Sequence, residues 1–169
     1  MYARPFIDSL DFARNGQNIS GEVPIAGLPR LQDVLENLRG VLSYTVQGVV
    51  DKQGAPALDV SIAANFQLRC QRCLKGLDYA VQLDTRLLLR DQASLDALDD
   101  NVAGGEEEEF DSILADAHLN VLNLLEEEIL LSLPIAPKHE LGACQATDSE
   151  NVREEEQHPF AVLAKLKRN

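Results

Sequence analysis

The chain predicts an α+β fold, an antiparallel β-meander packed by a few helices, and three observations carry that expectation. Residues 57–68 are apolar at every second position, and Leu77–Leu83 repeats the alternation. Leu42–Val50 places Leu42, Tyr44, Val46 and Val50 on one side. Short connections between such runs make them antiparallel neighbours, so one sheet face needs cover from helices.

Taken in order, residues 1–27 are broken by Gly16, Gly21, Pro24 and Gly27 and predict one or two edge strands. Pro29–Arg39 reads as a first helix. Pro29 suits the first turn, Leu31, Val34, Leu35 and Leu38 share a face, and Gly40 offers a stop. After the strand Leu42–Val50, the turn Lys52-Gln53-Gly54 leads into the long strand ending near Arg69, and the chain returns through Leu77–Arg90. An acidic flexible loop is expected over about 91–111. From Asp96 to Asp111 there are eight acidic residues and no basic one, including Glu106 to Glu109.

Phe110–Leu119 is expected to include another short strand. The clearest helix follows, from Asn120 as N-cap to about Ser132. Val121, Leu122, Leu125, Ile129 and Leu133 can face the sheet, with Glu126, Glu127 and Glu128 mostly outward. Pro134 and Pro137 end it. Loop and tail occupy about 138–169, and Pro159–Arg168 reads as a short amphipathic tail helix with a basic end. Residues 1–169 read as one domain without internal repeats.

At 169 residues the chain can bury a substantial core, built mainly from aliphatic side chains because aromatics make up only 5%. The formal net charge of −13 argues against a general nucleic-acid binder, which needs a broad basic face. Contact with RNA would have to be local or mediated by another protein. Three cysteines form no closed disulfide framework, which points to a reducing compartment. The N-terminal residues lack an apolar signal region, and no stretch has the length of a membrane span. The expectation is a cytoplasmic protein.

Cys70 and Cys73, in Cys70-Gln71-Arg72-Cys73, fall at the tip of the predicted hairpin. Two thiols on such a turn can converge on one tetrahedral ion. Cys144 is the only other thiol, and His139 lies five residues before it; with Cys70 and Cys73 they would complete the Cys₃His set used by structural zinc. The plainer reading is a turn that tolerates small, weakly polar residues. A thioredoxin-like pair instead opens a helix, whereas strands flank this one on both sides.

Nothing else in the chain has the pattern of a catalytic centre. There is no nucleophile elbow, Gly-rich phosphate loop or His-Glu-x-x-His, and His118, His139 and His158 are scattered. A non-enzymatic protein is expected. The sparse basic residues cluster twice: Arg69, Arg72 and Lys75 around the cysteine turn, and Lys165, Lys167 and Arg168 at the end of the tail. Turn solubility and a helix C-terminus account for each cluster alone. With Phe160, Leu163 and Leu166 they form a plausible docking element.

Four features occur in order: Cys70-Gln71-Arg72-Cys73-Leu74, then Asn120 through Leu133-Pro134, then Lys138-His139-Glu140 before Cys144, and finally Pro159 through Lys167. In this order they resemble the YceD family, the large ribosomal RNA subunit accumulation proteins of bacteria, which also have chloroplast relatives. The resemblance is densest from about residue 60 onward and looks closest to the proteobacterial branch. It implies a non-enzymatic factor supporting synthesis, processing or stability of large-subunit 23S ribosomal RNA. The partners it implies are precursor particles, ribosomal proteins or assembly factors, with no membrane. Some relatives carry a second cysteine cluster where this chain has Cys144 alone, so Cys70 and Cys73 carry over most directly. The alternatives are a thiol-redox protein using Cys70 and Cys73, a zinc-knuckle protein-interaction adaptor, and direct RNA binding through Arg69, Arg72 and Lys75.

Overall fold

A computed structural model describes residues 4–101 and 110–144. Its centre is a five-stranded sheet in the order β2-β3-β4-β5-β6, comprising β2 (Asn18–Pro24), β3 (Val41–Val50), β4 (Pro56–Arg69), β5 (Gly76–Arg90) and β6 (Asp111–Leu114). The first four strands form the expected antiparallel meander, while β6 pairs with β5 in parallel. The short strands β1 (Phe6–Ile7) and β7 (Leu119–Asn120) form a separate antiparallel pair.

The core lies on one face of the sheet, where the alternation of β4 is nearly complete. Leu58, Val60, Ile62, Ala64, Phe66 and Leu68 are all buried, and the residues between them from Ser61 onward are exposed. Each buried Leu, Ile or Val contributes about 1.5–3 kcal/mol. The cover comes from α1 (Ser9–Arg14) and α3 (Val121–Ser132), which bring Phe12, Leu122, Leu125 and Ile129 into the same cluster. Asn120 caps α3 as expected, its side chain accepting from the Asn123 amide at 3.1 Å.

The structure corrects four expectations. Residues 1–27 hold a helix, α1, as well as two strands. Its signal was the N-cap Asp8, whose carboxylate accepts from the Leu10 and Asp11 amides. Pro29–Arg39 is not an α-helix: a single 3-10 turn spans Pro29–Leu31, a further turn closes with the Val34 and Leu35 amides donating to the Leu31 carbonyl, and the helix goes no further. Leu35 bridges Leu68 and the Glu36 amide donates to the Gln67 carbonyl, so bonding to the sheet replaces the helical ladder. Leu31 and Leu35 are buried but Val34 and Leu38 are exposed, which is not the continuous helical face that the spacing suggested.

The segment 91–111 is not wholly a loop either. Helix α2 runs Gln92–Asn101, with the Asp91 carboxylate accepting from the Ser94 amide at 2.8 Å, and β6 begins at Asp111. Glu106 to Glu109 lie outside the described residues, as do 145–158 and the predicted tail helix. Finally, only Glu127 of the triplet in α3 points outward. Three consecutive helical residues span about 200°, so they cannot share one face. Glu126 is fully buried and accepts from the Arg30 amide at 2.8 Å, and Glu128 is buried nearly as deeply. Burial, followed by the nearby Asp111 and Glu127 carboxylates, pushes the Glu128 carboxyl above its usual range.

Candidate metal centre

The period-two pattern of β4 delivers the first sulfur. Cys70 continues the series of buried even-numbered residues one step beyond the strand and is 0% exposed. The turn between β4 and β5 closes with the Cys70 amide donating to the Lys75 carbonyl at 2.9 Å and the Leu74 amide donating to the Cys70 carbonyl at 2.9 Å. Leu74 takes a left-handed conformation, with φ of 58°, as the chain leaves the turn for β5. The Arg72 amide donates to Cys70 Sγ at 3.4 Å.

The other half comes from the chain leaving α3. Pro134 and Pro137 prevent the helix from continuing, and the Pro137 carbonyl accepts from the Gln71 amide at 2.8 Å. Two residues later, His139 lies against the hairpin. Its Nε2 is 3.0 Å from the Gly76 carbonyl oxygen, and its Nδ1 is 3.4 Å from Cys73 Sγ and 3.7 Å from Cys144 Sγ. The Ala143 amide donates to the Glu140 carbonyl and Gly142 has a φ of 89°, a turn that brings Cys144 Sγ to 3.7 Å from Cys70 Sγ. All four ligand atoms lie within 4.8 Å of one another.

Burial opposes ionisation of Cys70, but hydrogen bonds from the backbone of Cys73, His139 and Arg72 and from the Cys73 side chain outweigh it and hold the thiol down to about 5. Burial and the neighbouring Cys70 and Cys73 sulfurs push Cys144 up. A low thiol pKa suits redox chemistry, but a reactive thiol must also be reachable, and Cys70 is enclosed. The geometry favours a structural cluster.

The structure therefore brings together Cys70, Cys73, His139 and Cys144. Of the basic residues, Arg69 pairs with Glu36 at 2.8 Å, while Arg72 and Lys75 sit exposed on the same turn. Phe160, Leu163, Lys165, Lys167 and Arg168 lie outside the described residues. Sequence reasoning did not find the supporting groups, namely the Gly76 and Pro137 carbonyls and the Arg72 amide. Only Pro137, two residues before His139, gave a sequence signal, as a point where the helix must have ended. Among the described residues no helix is long and apolar enough to cross a membrane.

Fold and site together define a small α+β protein with a Cys₃His knuckle at the tip of its central hairpin. The chain belongs to the YceD family, described as "Large ribosomal RNA subunit accumulation protein YceD", whose family model matches residues 58–167. It is also similar to the large ribosomal RNA subunit accumulation protein YceD of Haemophilus influenzae, with 26% identity over 168 residues, covering 95% of this chain and 94% of that protein. No solved structure matches the chain.

Proposed function

We propose that this protein is a non-enzymatic factor supporting the synthesis, processing or stability of large-subunit ribosomal RNA. It would act through contact with a ribosomal protein, an assembly factor or a precursor particle. The observation that carries this reading is the family match over residues 58–167, supported by a relative named for the same role along nearly the whole chain. A net charge of −13 suits transient contact with basic ribosomal proteins, by electrostatic complementarity. In this reading the protein works in the cytoplasm, and its knuckle has a structural Zn²⁺ as cofactor. Four protein ligands leave no open position for catalysis. Arg69, Arg72 and Lys75 at the hairpin tip and Phe160, Leu163, Lys165, Lys167 and Arg168 in the tail are the docking residues. Removal of residues 159–169 is expected to weaken co-sedimentation with large-subunit precursor particles while the domain stays folded, with an unchanged urea midpoint. Undiminished co-sedimentation of the truncated protein would contradict the tail's part in docking.

A further inference from the structure

Beside the hairpin tip lies a groove of about 740 Å³, between the stretch 32–35 and the end of α3. Val34, Leu133 and Ile135 line it; Val34 is 41% exposed and Ile135 fully so. Exposed apolar side chains gathered in one groove with polar residues around them mark a contact surface, not ordinary scatter. Asp33 also borders the groove, exposed and in no ion pair among the described residues. The tail carries the complementary pattern. Phe160, Leu163 and Leu166 are spaced by three, so on a helix they cover an arc of about 120°. Lys165 and Arg168 fall opposite that arc, and Lys167 falls within it at the C-terminal end. So short a helix is not stable in water unless a surface covers its apolar face.

Reach favours the chain's own groove. The described residues end at Cys144, whose Sγ lies 3.7 Å from that of Cys70. The residue after Cys70, Gln71, lines the groove, and its amide donates to the carbonyl of Pro137, another lining residue, at 2.8 Å. A random coil as long as residues 145–158 spans roughly 20 Å, which sets the tail's effective concentration at the order of millimolar. A second copy at micromolar concentration is outcompeted by roughly 100-fold or more. We propose that residues 159–168 fold as a helix in this groove, with Phe160, Leu163 and Leu166 against Val34, Leu133 and Ile135 and with Lys167 toward Asp33. Lys165 and Arg168 then face outward at the end of the molecule that carries Arg72 and Lys75. Docking in cis joins the two basic clusters, distant in sequence, into one cationic surface on an acidic protein. This deepens the proposed function and rests on it for the use of that surface; the groove contact itself belongs to the free chain. The contact is a local equilibrium that urea undoes before the sheet unfolds, so removal of the tail leaves the global midpoint in place.

The test uses the full chain on its own in solution. Hydrogen exchange over residues 160–168 should be at least about 10-fold slower in wild type than in Leu163→Asp. Ile135→Asp, on the groove side, should remove the same protection while β3, β4 and β5 keep theirs, since the exposed Ile135 side chain is not part of the core. A benzophenone side chain in place of Phe160 should, on irradiation, give a product of monomer mass joined to residues 130–137 or 32–35. A wild-type tail exchanging at the unfolded-chain rate would overturn the proposal, as would full tail protection in Ile135→Asp. A crosslinked product of dimer mass would assign the groove to a second copy and overturn it as well. A protected, crosslinked tail whose removal left co-sedimentation undiminished would keep the groove contact and remove the tail's docking role. An unprotected tail whose removal weakened co-sedimentation would do the reverse.

Discussion

Cys70 Sγ and Cys144 Sγ lie 3.7 Å apart although 74 residues separate them in the chain. Two local rules produce the meeting. The pleat of β4 turns every even-numbered side chain inward, and Cys70 is the next in that series. On the other side, α3 packs on the sheet through Leu122, Leu125 and Ile129, and Pro134 and Pro137 force its exit toward the hairpin tip. The cluster thus depends on core packing as well as on its own ligands.

Gly48 sits where α1 crosses β3. A Cβ there would lie 2.6 Å from the Phe12 carbonyl carbon and 2.7 Å from Ala13 Cα, both backbone atoms that cannot step aside. Gly48→Ala is expected to destabilise the fold by about 3 kcal/mol through overpacking. Urea denaturation checks this by the fall in midpoint, and a loss below about 1 kcal/mol would show that α1 can lift off the sheet at little cost.

Leu74 holds a left-handed conformation in the cysteine turn while its side chain is 66% exposed. Glycine adopts that conformation without the Cβ penalty, so Leu74→Gly is expected to raise stability by about 0.5–1 kcal/mol. For a chain of this size the corresponding rise in melting temperature is about 1–4 °C. A fall would mean that the Leu74 side chain makes contacts worth more than the strain.

Glu128 tests the electrostatics beneath α3. Its carboxyl is pushed up by burial, then by Asp111 and Glu127, so the folded state holds the proton more tightly than the unfolded chain. Stability from this group is therefore present below the ordinary glutamate pKa of about 4.3 and is lost as pH rises through the elevated folded value. Glu128→Gln is expected to raise the melting temperature at pH 7, with the gain disappearing as pH falls toward 4. An equal gain at both pH values would assign the effect to packing.

Much of this architecture was legible because strands and α3 announce themselves through period and caps. The alternation in residues 57–68 places β4 in its register, and Asn120 marks the start of α3. The segment from Pro29 to Arg39 was not legible, because its leucines have helical spacing but their fate was decided by a partner about 30 residues away, through Leu35–Leu68 and Glu36–Gln67. Helix α1, only six residues long, rests on one cap and contact with β3. In the site, Cys70 and Cys73 were marked by spacing, and Cys144 and His139 by elimination among few ligand types. The contacts that orient them are backbone groups, which carry no residue-type signal.

The ratio of large- to small-subunit ribosomal RNA in cells lacking this protein tests the central claim most directly. It should be measured during rapid growth, with the wild-type chain or a Cys70→Ser/Cys73→Ser copy supplied in trans. The account predicts that the ratio falls on deletion, recovers with wild type, and stays low with the double variant although that variant is still folded. An unchanged ratio in the deletion strain would contradict it.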